Sequence, residues 1–456
     1  MTESALPHVS AERLEAITRV LAGDDSDERA CEAIPAGACT DVPRNTLLNL
    51  ANGAATKLAE QLASPGLVLP WLLAGIGAPA VLTGLLVPVK QAGSLLPQLA
   101  VAGRVRAVAE RKWVWVAAGL FQALMLTIIG AGAMLLPQEI AGPLILLAFA
   151  VFSAASGAGS LAFQDVVGKT IPQGRRGRLL SNRALIGGAL TLLAALAFRA
   201  LIGEDASVQL AVPLIALAAL LWALGAAAFA AMEEVPGATE GGRSMLHEVR
   251  AGMRLLREVP GFRRFLTARA LLLGVELATP FFALHASDLY GNAAPLLATY
   301  LFAVGLANLL ASPFWGRWAD VSSRAVMAAA GALAAGSGVL ALVLAWLPAG
   351  DLTAWVYALA FLLAGMAEGG LRLGRKTYLT DGAPPDERPL YTAFANTAVG
   401  VLALGGGLLG LLADLATPAA AIVAVSLLAA AGAYLSWRLP EARDMALEVR
   451  GQSDVG

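Results

Sequence analysis

The sequence predicts an all-α integral membrane protein, with twelve transmembrane helices arranged as two pseudo-symmetric six-helix halves. Three observations carry this. Of the 456 residues only 14% are charged and 58% are hydrophobic, with a mean hydropathy of +0.69, whereas a soluble domain has about 25% charged residues. Twelve apolar segments are each long enough to cross a bilayer at about 1.5 Å per residue. Basic residues, finally, crowd into every second connection, which is how a multi-span chain is oriented in a membrane.

The spans fall near 46–73, 78–102, 112–136, 141–165, 180–202, 208–231, 264–287, 294–315, 325–347, 353–372, 390–413 and 417–438. With the N-terminal leader inside, the inner connections hold Arg104, Arg106, Arg111 and Lys112, then Lys169 to Arg183, Arg243 to Arg269, Arg317 and Arg324, and Arg372 to Arg388. Of the 32 Lys and Arg only Lys57, Lys90 and Arg199 escape this pattern, and none of them lies in an outer loop. Acids such as Glu139, Asp288 and Asp414 mark the outer loops. The chain is therefore expected in the cytoplasmic (inner) membrane, multi-pass, with both termini cytoplasmic. The formal net charge of −1 says little, because the charges are so unevenly spread.

The first span needs a separate argument. Asn49, Asn52, Thr56 and Glu60 recur at steps of three and four and so share one helix face, beside Lys57 and Gln61. Hydropathy alone prefers a helix near 66–89 and leaves this stripe at the surface. An internal repeat decides otherwise. GRVRAVAERKWVWVAAG (103–119) matches GRWADVSSRAVMAAAG (316–331), and VGKTIPQGRRGRLLSNRA (167–184) matches GRKTYLTDGAPPDERPLYTAFA (374–395). The seventh span begins about 54 residues before Gly316, and the same count back from Gly103 lands on Asn49. A charged residue at mid-membrane costs roughly 2.5–3.5 kcal/mol, so such a stripe faces protein or a wet cavity.

The domain reading follows: 1–44 a cytoplasmic leader, 45–232 and 264–438 the two halves, 233–263 a cytoplasmic linker, and 439–456 a cytoplasmic tail. The leader lacks the apolar core of a cleavable signal. It carries one short amphipathic helix from Ser10 to Leu21, and Cys31 and Cys39 as free thiols. The linker ends in a basic amphipathic stretch, SMLHEVRAGMRLLREVPGFRRF, suited to the membrane surface.

Twelve spans as six plus six, a long central loop and a GR-type loop after spans two and eight resemble the major facilitator superfamily of secondary transporters. The family's loop has Gly, then Asp four residues on, then basic residues. Gly316, Arg317, Asp320 and Arg324 fit, whereas Gly103, Arg104, Arg111 and Lys112 fit with Ala107 in place of the Asp. The resemblance covers about residues 45–438 and implies alternating access by two rocking halves around a midplane site. It implies transport of a small solute; the mid-membrane residues below are read as favouring an anionic solute and proton coupling. The antiporter glycine-proline motif of the fifth span is absent, although Gly187 and Gly188 are present.

Mid-membrane polar residues supply the site candidates. Asn49, Asn52, Lys57, Lys90, Gln91 and Asn396 are read as cavity-lining, the lysines attracting an anionic substrate. Glu60 and Glu276 lie in similar register in the two halves and are read as the proton-coupling acids, with Glu368 a further polar group. Gly103, Arg104, Lys169, Gly316, Arg317, Asp320 and Lys376 form the inner gating loops, with Asp165 and Arg183 as possible partners. The blander alternatives are a Lys57–Glu60 pair that only fixes helix packing, a Lys90 that snorkels, and amides that only tie helices together. His285 reads as an interface histidine. Gly168-Lys169-Thr170 lacks the upstream glycine of a phosphate loop, where Phe163 stands. No metal-ligand spacing, cofactor motif or nucleophile triad is present, so no enzyme, no cofactor and no nucleic acid are expected. The expected partners are a small-molecule substrate, the proton and the lipid bilayer, with the chain a monomer. The other class weighed is a transporter-like membrane sensor or assembly partner that moves nothing.

Overall fold

The computed structural model describes residues 41–172, 176–201, 211–236, 245–348, 350–384 and 388–442. The leader features, including Ser10–Leu21, Cys31 and Cys39, lie outside the described residues, as do the side chains of Gly103, Arg104 and Asp320. Everything regular among the described residues is helical. The first group comprises α1 (Val42–Leu62), α2 (Val68–Gly75), α3 (Ala80–Arg106), α4 (Lys112–Leu135), α5 (Gln138–Thr170), α6 (Arg176–Leu201) and α7 (Ala211–Ala230). An amphipathic α8 (Met245–Glu258) follows. The second group comprises α9 (Pro260–Leu271), α10 (Leu273–Glu276), α11 (Ala278–Tyr290), α12 (Ala294–Val321), α13 (Ser323–Leu344), α14 (Asp351–Gly382), α15 (Arg388–Ala403), α16 (Gly406–Leu415) and α17 (Pro418–Trp437).

Ten stretches of the described residues are long and apolar enough to cross a membrane. The first of these begins at Lys112, so α1, α2 and α3 stand outside that set. α1 is interrupted by Asn49, Asn52, Lys57 and Glu60, and α2 is only 8 residues long. Large apolar side chains such as Leu120, Phe121, Leu147, Val339, Leu408 and Leu427 are exposed around the outside. A contiguous apolar surface of this kind is unfavourable in water and is what a lipid-facing wall requires.

Packing divides the helices. α1 lies against α6 and α7, α4 against α5 and α7, and α3 against α5; later, α13 lies against α14 and α17, and α12 against α14. Between the groups, α6 meets α12, α3 meets α15 and α16, and α2 meets α11. α8 covers the start of α15, where Gly252 sits against the ring of Phe394.

One expected helix, 46–73, is broken. α1 ends at Leu62 and α2 starts at Val68. Pro65 cannot donate to a helical ladder, and a Cβ on Gly66 would lie 2.6 Å from Thr279 Oγ1. The seventh span breaks likewise around the single turn α10, and the eleventh breaks in the Gly405–Gly407 run between α15 and α16.

The two ends of the bundle differ. At the basic end, Asn45 and the Glu233 backbone exchange two hydrogen bonds of 2.9 Å, strapping the start of α1 to the end of α7. Beside them Asp165 pairs with Arg111 and, at 2.8 Å, with Lys169. Glu234 accepts from Lys169 Nζ at 2.9 Å and from the Lys112 backbone N–H at 2.7 Å. The expected Asp165–Arg183 pairing is not formed, because Arg183 turns into the bundle instead. The second half repeats the device with Arg324 and Ser322 on Glu441. Gly316 has open space beside it and Arg317 is exposed. At the opposite end the two groups touch closely. A Cβ on Gly84 would lie 2.6 Å from Gly410 Cα, and Asp414 accepts from the backbone N–H groups of Ala80 and Val81, the latter at 2.7 Å. Asn292 donates to the Trp71 carbonyl at 3.3 Å.

Candidate functional site

Helix breaks place the site. Where α1 gives way to α2, and where α10 interrupts the seventh span, polar side chains meet in a cavity between the two groups. It has two adjoining chambers. The deeper, about 130 Å³, is walled by Glu60, Lys90, Gln91, Glu276, Glu368 and Arg372, with the Ser64–Leu67 backbone. The other, about 260 Å³, lies toward the basic end and is walled by Lys57, Gly187, Leu373 and Lys376, with Glu60, Gln61, Asn308 and Arg372 shared between the two. Together they approach the lower part of the roughly 300–1,000 Å³ range of small-molecule sites. Lys90 is solvent-exposed although it sits well inside α3, and Arg372 and Lys376 are exposed on α14. The cavity is therefore wet and reached from the basic end, while the Gly84–Gly410 seam closes the other.

Two of its carboxylates are held in ion pairs. Lys57 Nζ lies 2.7 Å from Glu60 Oε2, one turn along α1. The Glu60 carboxylate also feels Lys90 and Arg183. Glu276, at the break beside α10, accepts from Gln91 Nε2 of α3 at 2.9 Å and pairs with Arg375 of α14 at 3.2 Å. That carboxylate thus ties the two groups together across the cavity. Lys90, Arg372 and Glu368 have no hydrogen-bonded or ion-paired partner among the described residues.

The amides behave differently from the lysines. Asn49 and Asn52 are fully buried and turn away from the cavity. Asn49 accepts from Arg183 with both its side chain and its backbone carbonyl, and Asn52 Oδ1 accepts from Arg183 at 3.0 Å. Asn52 Nδ2 donates to the Gly225 carbonyl at 2.9 Å, tying α1 to α7. Gly53 is obligatory beside them, because the Arg183 side chain fills the place of its Cβ. The second half mirrors this with the donor and acceptor exchanged between spans: Arg269 of α9 donates to Asn396 of α15 at 2.8 Å. A buried guanidinium needs such acceptors, since an unpaired one carries the full desolvation cost. His285 is buried, with Nδ1 2.9 Å from the Tyr357 hydroxyl.

The structure therefore brings Lys57, Glu60, Lys90, Gln91, Glu276 and Lys376 to one cavity and places Asn49, Asn52 and Asn396 behind its walls. Lys169 sits in the charge cluster at the basic end. Arg372, Arg375, Asn308 and Glu234 were not singled out from the sequence. The arginines look like ordinary inner-loop cations until α14 is seen to run on to Gly382, and Asn308 is a lone polar residue in an apolar run. No group of three or more His, Cys, Asp or Glu able to hold a metal occurs among the described residues.

Comparison with known proteins agrees with this architecture. The family model described as Major Facilitator Superfamily matches residues 265–453. The uncharacterized protein Rv2209 of Mycobacterium tuberculosis and the uncharacterized protein Mb2232 of Mycobacterium bovis are 28% identical over 308 residues, 64% of this chain. The match spans 58% of the length of those relatives. Among solved structures, a D-xylose-proton symporter aligns with a TM-score of 0.60 and 16% identity over 90% of this chain and 99% of that one. The inward open conformation of the xylose transporter XylE from E. coli aligns at 0.61 and 15%, over 88% and 97%. A POT family transporter in complex with 5-aminolevulinic acid aligns at 0.64 and 11%, over 86% and 95%. At these identities the likeness establishes the fold. The family model thus matches the second half of this chain, and the described length shares the fold of these solved transporters.

Proposed function

We propose that this protein is a secondary active transporter of a small anionic solute, coupled to protons and working by alternating access. The observation that carries the reading is the polar, wet cavity between the two helix groups, reached from one end of the bundle and sealed at the other. Discontinuous helices at mid-depth are where such folds place their substrate. In this reading α1 with α2, and α3, complete twelve spans divided into halves at 45–232 and 264–438. The basic end faces the cytoplasm by the positive-inside rule, so the conformation described is inward-facing.

Glu276 is the leading proton-coupling group. Its carboxylate accepts from Gln91 in one half and pairs with Arg375 in the other. Protonation removes the charge and weakens both contacts, which frees the halves to move. Glu60 is held by Lys57 in the same cavity and serves as the second acid. Lys57 and Lys90 supply the positive field that draws an anion in from either side.

Reconstitution into proteoliposomes with an imposed pH gradient tests the reading. Uptake of an anionic solute should rise with the gradient, collapse with a protonophore, and lose its pH dependence in Glu276→Gln. A solute that binds the purified protein but never crosses the bilayer would instead make the protein a sensor or an assembly partner.

A further inference from the structure

The helix that connects the two groups carries a surface that the cavity does not use. α8 has two faces built on the same helical spacing. Gly252, Leu255, Leu256 and Val259, at i, i+3, i+4 and i+7, form the inner one. Leu255 and Leu256 pack on the core, Val259 is buried, and Gly252 sits against the ring of Phe394. Phe262 extends this packing, its ring centroid 4.8 Å from that of Tyr391 and 6.3 Å from that of Phe394. Arg250, Met253, Arg254 and Arg257 repeat the spacing two residues earlier, about 200° around the helix. All four are exposed.

This outer face is basic. From Met245 to Arg264 the sequence holds five arginines against two glutamates. The remaining two arginines, Arg263 and Arg264, are exposed early in α9. Of the five, only Arg254 has an ion-paired or hydrogen-bonded partner among the described residues, Glu258 at 3.9 Å, with both side chains more than half exposed. A pair that long and that wet contributes little and leaves the face positive.

The chain itself fixes where this face lies. The seventh membrane-length stretch starts at Pro260, and Arg257 precedes it by three residues, at most about 11 Å of chain. The Debye length is about 8 Å at physiological ionic strength, so the leaflet surface is within electrostatic reach. We propose that the Arg250, Met253, Arg254 and Arg257 face of α8, with Arg263 and Arg264, binds anionic phospholipid headgroups at the basic end of the bundle. Several arginines on an amphipathic helix beside a span make the pattern that anionic lipids recognise. Each guanidinium fork can meet a phosphate with two hydrogen bonds. Met253, 45% exposed in the middle of the face, supplies an apolar side chain to enter the headgroup region. An acidic protein surface would match the charge, but headgroups already occupy the space beside a helix that is entering the bilayer. The binding involves no solute and is independent of the transport reading.

The test uses the full chain on a Cys31→Ser, Cys39→Ser background, with a bimane fluorophore on Met253→Cys, in neutral detergent micelles. Brominated phosphatidylglycerol and brominated phosphatidylcholine, which quench on contact, are titrated separately. Phosphatidylglycerol should quench at a concentration at least tenfold below that of phosphatidylcholine, and molar salt should erase most of the difference. Arg250→Gln, Arg254→Gln and Arg257→Gln should each weaken quenching by phosphatidylglycerol about fivefold, as for one basic residue fewer at an anionic surface. Quenching by phosphatidylcholine and the thermal midpoint should stay near those of the parent. Replacing the same three arginines by lysine keeps the charge and should keep the preference. Equal quenching by the two lipids, or a preference that survives the triple glutamine variant, overturns the proposal. So does a preference that emerges only after Asp24→Asn, Asp25→Asn and Asp27→Asn, because the acidic leader would then be the occupant of the face.

Discussion

Removing the Asp414 carboxylate should open the sealed end of the bundle. Asp414 lies in α16 and accepts the backbone N–H groups of Ala80 and Val81, the first turn of α3 in the other half. Those donors have no partner within their own helix, and the helix dipole adds to the attraction for a carboxylate. The contact exists only while that end is closed, so its whole free energy biases the conformational equilibrium. Loss of such a cap costs about 1 kcal/mol, and Asp414 is exposed, which argues against a larger value. About 1 kcal/mol shifts a two-state equilibrium roughly fivefold. Cysteines replacing Ile140 and Leu415, both exposed near that end, would carry spin labels on a Cys31→Ser, Cys39→Ser background. Asp414→Ala should move the label-to-label distance distribution toward longer separations, with Asp414→Asn intermediate. An unchanged distribution, or a shift to shorter distances, would refute the cap as a conformational latch.

Three further outcomes follow from the same contacts. Asn49→Ala combined with Asn52→Ala strips the buried Arg183 guanidinium of its side-chain acceptors and should cost roughly 2–4 kcal/mol, read as a lowered thermal midpoint; Arg183→Leu in that background should recover part of it. Gly84→Leu places a side chain where Gly410 already stands, so it should favour the conformation open at that end and raise the reactivity of a cysteine at Val81 toward membrane-impermeant maleimides. Glu234→Gln leaves Lys169 with only Asp165 and weakens the cap on the Lys112 N–H; proteolysis at the connection between α3 and α4 should quicken while the purified protein remains helical by circular dichroism.

Much of the architecture was legible because lipid and lateral charge bias write strong signals into a sequence. The ten apolar stretches are of that kind, as is the alternation of basic connections. Placing α1 in the membrane rests on the repeat register alone, since α1 is too polar to be recognised by hydropathy and stands outside the ten membrane-length stretches. What the sequence could not reveal was which way its polar face turns. Asn49, Asn52 and Glu60 share a helical period in one unbroken helix with Lys57 beside them, yet the asparagines meet Arg183 in the wall while Lys57 and Glu60 line the cavity. Periodicity assigns residues to a face, but the neighbouring helices decide what that face meets. Glu234 and Arg375 were hidden for another reason. Each acts on a partner far away in sequence, Lys169 and Glu276 respectively, and only the packing of the helices brings the partners within reach.

Alternating access requires the two halves to move about the cavity, and a removable staple across the sealed seam tests that most directly. Leu85 Cγ, close to where a cysteine sulfur would sit, lies 3.3 Å from the position of a Cβ on Gly407, a separation compatible with a disulfide. Leu85→Cys with Gly407→Cys, again lacking Cys31 and Cys39, would be oxidised in proteoliposomes and assayed for solute uptake before and after reduction. Alternating access predicts that uptake stops while the staple is closed and returns on reduction, with solute binding from the basic end retained throughout. Uptake that continues at the wild-type rate with the staple fully formed would contradict the account.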